Sequence, residues 1–154
     1  KYSNITFIGV ARDVSVGLSH VLHQIEETGK LFASSRCIII EGDSSDNTLH
    51  ILQSWVKMDN STRTMFTHSS LGVKDMSMTH KNLVMPREGR LAIARNLALT
   101  YLHSLPPYEY VIVIDMDVKA WDMDGIADTF GRQEWDVMCA HGVYLHGLYR
   151  DTYA

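Results

Sequence analysis

The chain has 154 residues, 45% of them hydrophobic, and a formal charge of −4 from 14 basic and 18 acidic side chains. That length is about one domain and that apolar content allows a sizeable core, which excludes a disordered chain. The basic residues form no stripe that could follow a nucleic-acid backbone, and no apolar run approaches the roughly 20 residues that cross a bilayer, so a soluble domain with a small-molecule or glycan partner is expected.

Short β-branched runs alternate with helical periodicity, the pattern of a mostly parallel sheet with helices on its faces. ITFIGVA, 5–11, is the first expected strand, and Leu18, Val21, Leu22 and Ile25 fall on one helical stripe after it. CIII, 37–40, is the second; it leads through EGDSSDNT into a helix carrying Leu49, Leu52 and Val56, which Asp46 or Asn47 can cap. RTMFT, 63–67, is the third, followed over 69–86 by an irregular connection of a length that is often functional. A helix then runs from Arg90 to about His103, closed by Pro106-Pro107. YVIVID, 110–115, is an apolar fourth strand expected to be buried on both faces, and WDVMCA, 135–140, a fifth. Cys37 and Cys139 each lie in a strand-like run, where a buried inert thiol is expected rather than a disulfide. The start at Lys1 and the ending YRDTYA, with no helix stop signal or polar tail, are those expected of part of a longer protein.

In an open α/β sheet the ligand crevice lies beyond the carboxyl ends of the strands. The polar residues gather there: Arg12-Asp13 after the first strand, Glu41-Gly42-Asp43 after the second, Thr67-His68 after the third and Asp115-Met116-Asp117 after the fourth. Carboxylates converging in this way would repel one another unless a cation sat among them, and oxygen ligands suit Mg²⁺ or Mn²⁺. Asp115 and Asp117, two residues apart at a strand end, are expected to point to one side and to serve one ligand together.

Asp-Met-Asp occurs again at 122–124, before the short amphipathic run GIADTF, where Asp122 or Asp124 is better placed as a helix N-cap. A calcium loop of the EF-hand type fails, because Lys119 and Ala120 stand where an oxygen ligand and a glycine are needed. Arg95 falls with Leu91, Ala98 and Leu102 on the helix face expected to meet the sheet. A buried guanidinium needs an anion, here Asp13, Asp115 or a bound diphosphate.

Three stretches together resemble the nucleotide-sugar glycosyltransferases of the GT-A fold: IIIEGDSSDNT is similar to the nucleoside-contacting second-strand motif, GRLAIARNLAL to the Arg-Asn helix before the catalytic strand, and YVIVIDMDV to the metal-binding Asp-x-Asp strand. WDVMCAHGVYLHGLYRDTYA resembles a region of fungal capsule-type mannosyltransferases in which a Tyr-Asp-Thr-x-Ala segment follows a strand, with Arg150 here in place of that Tyr. The resemblance implies a three-layer α/β/α sandwich around a mostly parallel sheet, spanning 1–154 as one donor-binding and catalytic domain, with acceptor contacts further along. It places Val10, Ala11 and Asp13 near the base, Glu41 on the base or ribose and Arg95 at the diphosphate. Asp115 and Asp117 become the metal motif for Mn²⁺ or Mg²⁺, and Asp151 a candidate for acceptor activation, with His141 and His146 behind it. The implied reaction moves a sugar from a UDP- or GDP-sugar to a hydroxyl, on a glycan or another acceptor. A metal would offset the charge growing on the departing diphosphate. The alternatives are a nucleotidyltransferase, which would be expected to carry a glycine-rich phosphate loop that GVARDVSVG lacks, and a non-catalytic module built on the same scaffold.

Overall fold

A computed structural model describes residues 3–68, 70, 87–132, 134–140 and 142. Its elements in chain order are β1 (Asn4–Ala11), α1 (Ser15–Gly29), β2 (Ser34–Glu41), α2 (Thr48–Met58), β3 (Arg63–Thr67), α3 (Arg87–His103), β4 (Tyr110–Asp115) and α4 (Met123–Gly131). The chain divides into two compact units, Lys1–Trp121 and Asp122–Ala154.

In the first unit all four strands run parallel in the order β3-β2-β1-β4. The architecture is the expected α/β one, a parallel sheet between layers of helices of the Rossmann-like kind. Parallel neighbours need a crossover, and crossovers are right-handed. The steps from β1 to β2 to β3 therefore put α1 and α2 on one face, and the return past β1 to β4 puts α3 on the other. The period of two along each strand divides the core accordingly. Phe7 and Cys37 face Ile25 of α1 and Trp55 of α2, whereas Ile8, Ile38 and Ile40 pack under Ala94 and Ala98 of α3. Burying one isoleucine side chain contributes about 1.5–3 kcal/mol, so these two layers dominate the stability of the unit.

Strand order reverses between β1 and β4: the chain goes from β1 outward through β2 and β3, then returns to the far side of β1. The carboxyl-edge crevice of a doubly wound sheet lies at such a switch point.

Two expected features differ. The fourth strand is not buried on both faces, for among the described residues β4 pairs with β1 alone and α3 lies over β1 and β2. Val111 and Val113, in register with Thr6 and Ile8, are thus 43% and 56% exposed. The run 135–140 forms no strand. Its apolar residues find no ladder among the described residues: Val137, Met138 and Cys139 are exposed, against the buried thiol expected at Cys139. Trp135 instead returns to the helix before it, packing edge-on against Phe130 and donating from Nε1 to the Thr129 carbonyl at 3.0 Å. Cys37 is the buried free thiol that the sequence suggested, and burial pushes its pKa up to about 12.

Candidate functional site

The loops after β1 and β2 interlock. Asp13 has φ 52 and Asp43 φ 54, a left-handed backbone that Asp tolerates better than most side chains. Asp13 Oδ1 accepts from the Ser45 amide at 2.7 Å and the Ser45 hydroxyl at 3.0 Å, which lowers its pKa, the amide contributing most. In return the Asp13 amide donates to Ser44 Oγ, the Val14 amide to Thr48 Oγ1 and the Ser15 amide to Asp46 Oδ2, each at 2.9 Å. Asp46 Oδ1 also accepts from the Thr48 amide at 2.9 Å, so Asp46, one residue before the Asn47 cap position, ties the first turn of α2 to that of α1. Hydrogen bonding to Thr48, foremost, and to Ser15 holds Asp46 far below the usual carboxylate range.

These bonds decide what the start of α1 can do. The amides of residues 13 and 14, just before α1, and of Ser15, its first residue, are among those that a phosphate-binding loop would aim at a ligand, because N–H groups at a helix start have no partner within the helix. Here side chains of the β2–α2 connection and of Thr48, the first residue of α2, occupy all three.

Glu41 is likewise committed. Its side chain is fully buried, with Oε2 accepting from the Asp43 amide at 2.9 Å and Oε1 from the Ser44 amide at 2.8 Å. Both oxygens of Glu41 are thus engaged by the turn that follows β2, whereas the expected donor contact would need one of them to accept from a base or ribose as well. Of the other residues expected near a base, Val10 is half-buried, Ala11 is fully buried with its carbonyl accepting from the Gly42 amide at 2.8 Å, and Asp13 is exposed.

At the end of β4, Asp115 and Asp117 are both exposed, whereas Met116 between them is 2% exposed. Met116 fills the space over Gly9 of β1: a Cβ built on Gly9 would lie 2.6 Å from Met116 Sδ. This is why an apolar side chain separates the two acids. It anchors the turn, closed by the Val118 amide on the Asp115 carbonyl at 3.3 Å, to the middle of the sheet. Of the three anions open to Arg95, the structure pairs it with Asp115, Nη2 to Oδ1 at 2.7 Å. That pair is not buried as expected, since the two side chains are 41% and 62% exposed. α3 leaves β4 uncovered, so the guanidinium reaches Asp115 along the open margin of the sheet.

The second Asp-Met-Asp belongs to the other unit and caps α4. Asp122 is the N-cap residue, its Oδ1 accepting from the Asp124 amide at 3.0 Å.

Convergence of acids does occur at the carboxyl edge, but the repulsion expected to demand a cation is largely met by the protein itself. Amides and hydroxyls hold Glu41, Asp13 and Asp46, and Arg95 holds one oxygen of Asp115. Among the described residues no trio of His, Cys, Asp or Glu is arranged for a metal. Two exposed carboxylates still suit a hard divalent ion that keeps waters and takes further oxygens from a bound diphosphate. Asp151, His141 and His146 lie outside the described residues, as does nearly all of 69–86.

The sequence reading passed over His68 as a site residue. It follows β3, its amide donating to the Glu41 carbonyl at 3.0 Å, and it is 5% exposed with Nε2 lacking a hydrogen-bond partner among the described residues. Burial lowers its pKa against the pull of the neighbouring Asp43 and Glu41 carboxylates. Its sequence signal was its place at a strand's carboxyl end.

No protein-family model matches the chain, and a search of curated proteins finds none significantly similar to it.

Proposed function

We propose that this chain is the donor-binding part of a metal-dependent glycosyltransferase, one that takes a UDP- or GDP-sugar and delivers the sugar to a hydroxyl acceptor such as a glycan. The observation that carries the reading is the pair of exposed carboxylates, Asp115 at the end of β4 and Asp117 in the turn after it, at the β1/β4 switch point. In this reading Asp115 and Asp117 hold a Mn²⁺ or Mg²⁺ ion through carboxylate oxygens, and Arg95 orients Asp115 while adding positive charge at the diphosphate. The bound ion supplies charge neutralisation for the leaving nucleoside diphosphate.

The state of the α1 amides favours this over the nucleotidyltransferase alternative. A phosphate loop works through free N–H groups at a helix start, and Ser44, Thr48 and Asp46 occupy the amides of residues 13, 14 and 15 that lead into α1. With those amides taken, a cation and Arg95 are the charges left at this edge to hold a diphosphate in this reading. The non-catalytic alternative separates by experiment. Calorimetric titration with UDP and with GDP, with and without Mn²⁺, should show at least one nucleotide binding only in the presence of the metal. Equal affinity with and without Mn²⁺, or no binding of either, overturns the proposal.

A further inference from the structure

Hydrogen-bond accounting singles out one group at the carboxyl edge. Glu41, Asp13, Asp46, Ser44 and Thr48 each accept from a backbone amide, yet Nε2 of His68 stands in the same rim, nine-tenths buried, without a partner among the described residues. The other such atom, Gln24 Oε1, lies within α1, away from that edge. A buried polar atom left unpaired is costly and calls for a reason. We propose that His68 Nε2 is a nucleoside-binding group, taking a ribose hydroxyl of the nucleotide whose diphosphate lies at Asp115 and Asp117. This deepens the donor-binding reading and rests on it.

Three features select that ligand. Neighbouring strands are about 4.8 Å apart, so the ends of β3 and β4 are separated by about 14 Å, a span that a nucleoside joined to a diphosphate can bridge. Asp43 and Glu41 act on His68 with negative charge that outweighs the positive charge of Arg12, which disfavours a phosphate there and leaves a neutral group. A hydroxyl both donates and accepts, so it satisfies Nε2 in either neutral tautomer. In dinucleotide-binding sheets an acid at the end of the second strand takes the ribose; here that acid, Glu41, is consumed by its own turn, and the imidazole one strand further out is the group left with capacity.

The test uses wild type and His68→Phe, which keeps a ring in the space and removes Nε2. Whichever of UDP and GDP binds with Mn²⁺ is compared by calorimetry with its 2′,3′-dideoxy analogue. Wild type is expected to prefer the ribonucleotide by about tenfold, and His68→Phe to bind the two within about twofold while keeping its metal dependence. As a second readout, the His68 imidazole ¹⁵N resonance, assigned by its loss in the variant, should shift in wild type on saturation with the ribonucleotide and much less with the analogue. A preference that survives in His68→Phe, or no preference in wild type, overturns the role of His68 while metal-dependent binding keeps the donor-binding reading. Wild type that binds neither nucleotide overturns both.

Discussion

At the scale of single residues, a carboxylate's role depends on whether its oxygens are already occupied. Glu41 is the committed extreme. Glu41→Gln would turn an amide NH₂ toward backbone N–H groups in a site with no exposed surface, leaving one of the Asp43 and Ser44 amides unsatisfied. Charge-assisted bonds contribute about 1.5–3 kcal/mol, so urea unfolding of Glu41→Gln should show a loss of about 2–3 kcal/mol. Asp117 is the free extreme and Asp122 a cap. Asp117→Ala is expected to abolish the Mn²⁺-dependent component of nucleotide binding with unfolding unchanged within about 0.5 kcal/mol. Asp122→Ala should keep that binding and cost α4 about 0.5–2 kcal/mol. Calorimetry and unfolding on the two variants distinguish them, and equal loss of binding in both would mean that the metal was assigned to the wrong copy of Asp-Met-Asp.

Among elements, the informative contact is between β1 and the turn after β4. Gly9 leaves the room that Met116 fills, so the acidic turn is positioned by a strand about a hundred residues earlier in the chain. Gly9→Ala forces Met116 aside; overpacking of this kind costs about 1–3 kcal/mol, and displacement of the turn should weaken Mn²⁺-dependent nucleotide binding in parallel. A melt showing Gly9→Ala as stable as wild type with unaltered binding would refute the coupling. α1 carries a separate device, a break at Val16 and Gly17, where Gly17 has φ 95. Open space surrounds that glycine, so Gly17→Ala would be penalised by backbone conformation and not by a clash, at about 1–2 kcal/mol.

Across the whole molecule the same commitments shape the response to acid. His68 has a folded-state pKa below its ordinary 6.5, so the unfolded chain binds its proton first. Its contribution to stability is intact above pH 6.5 and is lost as pH falls from there through the folded-state value. Asp13, Asp46 and Asp59 are also lowered, Asp59 to about 2 by the Ser61 and Thr62 hydroxyls, and their contribution is present above the ordinary 3.8 and fades below it. Denaturant midpoints should therefore fall in two stages, one beginning near pH 6.5 and one below pH 4. His68→Phe should remove the difference between the midpoints at pH 7.5 and 5.5 that wild type shows beyond its other histidines. A midpoint in His68→Phe that falls as steeply as in wild type would place that titration elsewhere.

The local pattern determined much of this protein. Periodicities of two and 3.6 located β1 to β4 and α1 to α3, and an apolar run ending in Asp-Met-Asp placed two acids at a strand's carboxyl end. A proline pair marked the stop after α3. These features are legible because secondary structure and capping depend on neighbours a few positions away. Tertiary structure alone decided which polar groups are free. Asp13 meets Ser45, Val14 meets Thr48 and Ser15 meets Asp46 across a separation of about thirty residues, and Arg95 pairs with Asp115 and not with Asp13. It also decided that YVIVID forms the uncovered margin of the described sheet and that WDVMCA finds no ladder, since an apolar run records a tendency to be buried but not the neighbour that would bury it. For the same reason Glu41 and His68 differ: both stand at strand ends, but the Glu41 carboxylate is satisfied and His68 Nε2 has no partner among the described residues, because of amides and charges that the fold, and not the local sequence, brings beside them.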